Sequence, residues 1–169
     1  MEFRELIRTR YSVRAYRSTP VTEEVLLQVL EAAQLAPTAA NRQALQLVVV
    51  HTAGREAELK RIYDRDWFAQ APVVLCACGL PAENWVRRDA KNYNDVDVAI
   101  VMDHLILAAA NLGLGTCWVG AFDPVAAREV LGLPLGVEPI VFTPLGYPAD
   151  QLKPKKRKPI SELVRYEHW

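Results

Sequence analysis

Between Asp95 and Leu112 the chain is apolar almost all the way round, with Asp103, His104 and Asn111 the main interruptions after the opening acids. A helix with this pattern has no face suited to water and must be buried on every side. A chain of 169 residues can hardly enclose such a helix alone, so a second copy is its natural cover. The stretch is also too short and too polar to span a bilayer. It therefore points to a homodimer and away from a membrane protein. The length predicts one domain over residues 1–169. A chain of this size buries about 70% of its unfolded surface, so it needs no disulfide or metal staple.

Around that helix the pattern alternates. Residues 2–10 read as a short helix ending in a basic turn. Thr22 is an N-cap, with Glu23 and Glu24 where the helix dipole favours acids. Val25, Leu26, Val29, Leu30 and Ala33 follow at helical spacing, and Pro37 stops the helix. Leu45–Val50 and Val73–Cys78 are buried strands, with a surface helix over Arg55–Tyr63 between them. Gly113-Leu114-Gly115 ends the long helix, and Thr116–Val119 reads as a strand. Asp123-Pro124 caps a helix over 124–131, and Val137–Leu145 is the last strand. Helices separate all four strands, which predicts a layered domain with a mixed sheet. From Asp150 onward the chain is rich in Lys and Pro, and apolar spacing returns only at Ile160, Leu163 and Val164. Such a tail lies on something or stays disordered.

Charge excludes several functions. Twenty basic and twenty acidic residues give zero net charge, which removes the simple case for a nucleic-acid partner. The average conceals a pattern, since residues 1–20 and 150–169 each carry +3 while the middle carries −6. Cys76-x-Cys78 lacks the two-residue spacing of a redox or zinc pair, and its apolar run suggests core packing. His51, His104 and His168 show no metal-ligand spacing. The N-terminus is charged at once and has no signal-peptide apolar region, so a cytoplasmic location is expected. Dinucleotide, P-loop and nucleophile-elbow motifs are absent.

Three segments could carry chemistry. In Arg10-Tyr11-Ser12-Val13-Arg14 alternate side chains of an extended turn converge, and two guanidinium forks with a hydroxyl suit a phosphate. The other reading is a helix C-terminus decorated with Arg for its dipole. In Pro37-Thr38-Ala39-Ala40-Asn41-Arg42-Gln43 two amides could face the polar edge of a heterocycle, or the stretch is an ordinary turn. The run Lys153-Pro154-Lys155-Lys156-Arg157-Lys158 is either a solvated tail or part of one fixed anion site.

In order and spacing these segments resemble the nitroreductase family of flavoproteins. The match runs from Arg10-x-Ser12-x-Arg14 through Pro37-Thr38-x-x-Asn41-x-Gln43 and Asp97 at the start of the long helix. It continues through Leu105 to Thr116, Leu145-Gly146-Tyr147-Pro148 and Lys155-x-Arg157-x-Pro159. The resemblance implies a three-layer α/β/α sandwich of the α+β class, whose C-terminal tail embraces the partner subunit. It implies a homodimer with FMN at the subunit interface. Arg10, Tyr11, Ser12 and Arg14 of one subunit, with Lys155 and Arg157, would hold phosphate, ribityl chain and ring edge. Pro37, Thr38, Ala39, Asn41 and Gln43 would come from the partner, and backbone at Trp118, Val119 and Gly120 would face the ring. The implied activity is hydride transfer from NAD(P)H through flavin N5 to a nitroaromatic, quinone or similar acceptor, by a ping-pong route with no catalytic side chain. A dehalogenating or flavin-modifying enzyme, or a non-catalytic flavin binder, are the alternatives.

Two departures matter. Many larger members carry Glu where this chain has Gly120, and Pro-Trp where it has Ala44-Leu45. The chain also lacks the extra helices that cover the pocket in larger members. Trp67, Trp85 and Tyr93 could line the substrate side or serve packing alone.

Overall fold

The computed structural model describes residues 1–169. At its centre lies the strand β2 (Val73–Gly79), every residue of which is buried. It pairs antiparallel with β1 (Leu45–His51) on one side and β4 (Glu138–Gly146) on the other. The short β3 (Gly115–Thr116) adds to β4, giving the order β1-β2-β4-β3. All three pairings between its strands are antiparallel, where a mixed sheet was expected. The connection from β1 to β2 is not one long crossover. It is a pair of short helices, α3 (Glu56–Ile62) and α4 (Asp66–Gln70), that returns the chain to the end it left. The parallel component is a single bridge, Ser12 to Thr116.

Alternation along β2 divides the interior into two layers. Val73, Leu75 and Ala77 face a core built with α2 (Glu23–Gln34) and α5 (Asn94–Asn111), including Leu26, Val29, Met102 and Leu105. Val74, Cys76 and Cys78 face the opposite core, where Leu59, Ile62, Phe68 and Ala127 come from α3, α4 and α6 (Pro124–Leu131). The result is the expected α/β/α sandwich. The cysteines are packing residues, with Sγ atoms 3.5 Å apart and no disulfide.

Local chemistry explains the ends. Thr22 Oγ1 accepts from the Val25 amide, and Asp123 Oδ1 accepts from Val125 and Ala126. Gly132 closes α6 at φ 62, a left-handed position that favours glycine. The helix α4 was not anticipated, because five residues are too few to show a period.

The long helix α5 differs in one respect from its sequence pattern. One chain buries only the stripe Asn94, Asp97, Val98, Val101, Met102, Leu105, Ile106 and Ala109. The opposite face, with Val96, Ile100, Asp103, His104 and Leu107, remains exposed or half-buried. No helix is long and apolar enough to cross a membrane.

Candidate functional site

The two basic ends of the chain meet. Arg10 follows the last turn of α1 (Phe3–Thr9), its amide bonded to Leu6 O at 2.8 Å. Lys155 Nζ donates to Ile7 O at 3.0 Å, capping a carbonyl that the end of α1 leaves free. Ile7, Arg8, Arg10, Leu152, Lys153, Pro154, Lys155 and Arg157 line one open cleft of about 640 Å³. No carboxylate lines it, and none of Arg10, Lys155 and Arg157 forms an ion pair. Burial and then the charges of Arg10 and Arg157 push the Lys155 ammonium below its ordinary pKa. Arg10 Nε is buried without a partner. A cluster of like charges with an unspent donor suits an anion that several cations can share. Arg8 and Lys153 also wall this cleft; Lys153 opens the basic run of the tail, whereas Arg8 stands in none of the spaced motifs.

The segment after Arg10 is pinned along the sheet. Val13 N bonds Thr116 O at 2.9 Å. Gly115 is required beneath it, because a Cβ there would lie 2.5 Å from a Val13 methyl. Asp150 latches the outer side, with Oδ2 accepting from the Arg14 amide at 2.8 Å and Oδ1 from the Tyr11 hydroxyl at 3.1 Å. Burial and Asp150 together raise the Tyr11 phenol above its usual pKa. Asp150 was missed as a site residue, and only its place just after Gly146-Tyr147-Pro148 could have marked it. The Arg14 guanidinium stays exposed, 5.9 Å from the centroid of Trp67.

Beyond β3 the amides alternate in use. Cys117 N donates to Thr143 Oγ1 at 3.1 Å and Val119 N to Phe142 O at 2.8 Å. The amides of Trp118 and Gly120 enter no hydrogen bond, and both residues are exposed. Gly120 therefore presents an unspent N–H on a surface that starts beside Ser12.

The turn at 37–43 is built differently. Ala40, Asn41 and Gln43 all have positive φ, at 51°, 52° and 51°. Each such non-glycine position costs on the order of 1–3 kcal/mol and persists only where the surroundings over-determine it. Two bonds do so here. Gln43 N donates to Thr38 Oγ1 at 3.0 Å, and Ala39 N donates to Oδ1 of Asp97 at 2.9 Å. Asp97 is 2% exposed, and its Oδ2 has no partner. Asn94 supports the same region by donating to Ala44 O at 2.9 Å. Neither acid nor amide was assigned this role from sequence, although Asp97 stood in the motif pattern.

The structure brings Arg10, Lys155 and Arg157 together and sets Tyr11, Ser12 and Arg14 beside residues 117–120. It does not bring Thr38, Asn41 and Gln43 to them. Ala39 is tied to the first turn of α5, whereas Arg10 and Tyr11 share a small cavity with Ala110, Gly113 and Leu114 at its last turn. About 20 Å of helix lies between Asp97 and Ala110, at ~1.5 Å per residue. Within one chain the two groups of residues stand apart, at opposite ends of α5.

Known proteins share this arrangement of elements. A nitroreductase family protein of Clostridium difficile superposes with a TM-score of 0.92 at 36% identity, over 100% of both chains. An FMN reductase [NAD(P)H] of Bacillus subtilis is 31% identical across 92% of this chain and 69% of its own. A Thermus thermophilus NADH dehydrogenase is 30% identical across 92% and 91%. The family model described as Nitroreductase family matches residues 7–65 and 56–147. With the family model matching most of the chain and the fold superposing over its whole length, the chain belongs to the nitroreductase family.

Proposed function

We propose that the protein is an FMN-dependent oxidoreductase that uses NAD(P)H to reduce a nitroaromatic, a quinone or a similar small aromatic acceptor in a ping-pong cycle. The reading includes one domain over residues 1–169, a homodimer, and FMN held between subunits. The observation that carries it is the cleft where Arg10, Lys155 and Arg157 meet with no carboxylate to neutralise them. The donor set fits a phosphate of roughly −2 charge. When bound, FMN supplies the hydride chemistry, accepting from a nicotinamide and giving to an acceptor.

The chain's own groups bind and orient. Arg10, Lys155 and Arg157 would hold the phosphate, and Ser12 and Arg14 would follow the ribityl chain to the ring edge. The free amides of Trp118 and Gly120 would face the ring, and at Gly120, which has no side chain, the contact to the ring would come from the backbone N–H. Arg14 offers an unneutralised positive charge where negative charge develops during reduction. Thr38, Asn41 and Gln43 would reach the same flavin from the second chain. The distance between the two groups supports that division, since one ring cannot touch Ser12 and Asn41 of the same chain across α5.

Purified protein is expected to be yellow with a flavin spectrum. NADH or NADPH should bleach it anaerobically, and a quinone should restore the colour. A colourless protein that cannot be reconstituted with FMN overturns the proposal.

A further inference from the structure

The best-placed aromatic side chain outside the expected flavin motifs is Trp67, in the first turn of α4. Its ring is fixed edge-on by Tyr63, with centroids 5.7 Å apart, and by Phe68 at 6.5 Å. Phe68 is itself fully buried between Tyr63 and Phe142, so this aromatic stack is rooted in the core. Its outer face carries the Arg14 guanidinium, 5.9 Å from the Trp67 centroid and within cation–π range.

Arg14 is held by an aromatic face and by no carboxylate. Arg55, Arg61, Arg87 and Arg128 each sit on a carboxylate. Arg14 has none. The nearby acid, Asp150, gives one oxygen to the Arg14 backbone amide and the other to the Tyr11 hydroxyl. The only hydrogen bond from the guanidinium is a long one, Nη1 to Ser12 O at 3.5 Å. A carboxylate would have fixed the side chain more firmly but would have cancelled its field. An aromatic face restricts the rotamers of a long exposed side chain and leaves the full charge available.

We propose that Trp67 is a positioning residue, an aromatic shelf that orients the Arg14 guanidinium toward the bound flavin without neutralising it. The inference rests on the reading that FMN binds beside Ser12 and Arg14. It gives Trp67 a purpose beyond its packing on Tyr63 and Phe68, because loss of the ring also releases Arg14.

The test uses FMN-loaded Trp67→Phe, Trp67→Met, Arg14→Ala and the double variant Arg14→Ala/Trp67→Met. Methionine keeps apolar bulk for the α4 core but offers no ring face, and thermal melting checks that each variant is folded. The readouts are the midpoint potential of the bound flavin and the FMN dissociation constant. Trp67→Met should move the potential to more negative values and weaken FMN binding about two- to fivefold. Trp67→Phe should stay near wild type, and Trp67→Met should add nothing once Arg14 is Ala. The proposal is overturned if Trp67→Met leaves the potential unchanged, if Phe behaves like Met, or if the Met effect persists in full without Arg14. A wild-type protein that binds no FMN would instead overturn the functional reading on which this one stands.

Discussion

Lys155 shows how single residues divide their work between fold and site. Its ammonium caps the end of α1 through Ile7 O, yet burial and two neighbouring guanidinium groups hold its pKa down. The protein tolerates like charges in one cleft that no acid relieves. A dianion there turns mutual repulsion into shared attraction, and each charge-assisted hydrogen bond contributes about 1.5–3 kcal/mol. Arg10→Ala and Arg157→Ala should therefore each raise the FMN dissociation constant by tenfold or more. Lys158→Ala, outside the cleft lining, should stay within about twofold. Flavin fluorescence titration measures all three, and equal losses would refute a specific role for the cleft. The Arg10-x-Ser12-x-Arg14 spacing was legible in sequence because alternation in an extended segment is local geometry. The meeting of Arg10 with Lys155 was not, since nothing in spacing links residues so far apart. Only the family resemblance joined them.

Among elements, the turn at 37–43 is held by a residue on another element. Three left-handed non-glycine residues within four positions do not persist unaided, and Asp97 supplies the clamp through Ala39 N. Asp97→Ala leaves a backbone donor without its acceptor and should destabilise the fold by about 1–3 kcal/mol. It should also loosen FMN, since Asn41 and Gln43 lose their orientation. Asp97→Asn keeps an acceptor oxygen and should recover most of both. Urea denaturation and FMN titration on the two variants test this, and an Ala variant as stable and as tight as Asn would sink the idea. At this scale periodicity and capping located α2, β1, β2, α5, α6 and β4 to within one or two residues. They failed for α4, which is shorter than two turns, and for the sheet, where strand direction depends on whether the intervening helices cross over or return.

For the whole molecule, the open face of α5 and the exposed tail belong to one problem. Val96, Ile100 and Leu107 lie uncovered or half-covered on the helix, and Ile160, Leu163, Tyr166 and Trp169 are exposed along the tail. The Asn41 turn and the Arg10 cleft stand at opposite ends of that same helix. If a second chain covers α5, it also carries its Asn41 turn to the first chain's Arg10 cleft, so dimerisation and FMN binding become linked equilibria. Two measurements test the linkage. Apparent FMN affinity should fall on dilution into the range where the dimer dissociates, as followed by flavin fluorescence and sedimentation velocity. Deleting residues 159–169, which spares Lys155 and Arg157, should weaken the dimer at least tenfold and shift that fall to higher protein concentration. Excess FMN should in turn restore the dimer of the truncated chain, because a ligand held by both chains favours their association. A monomer that keeps wild-type FMN affinity at every dilution would place the whole site within one chain and refute the division across α5.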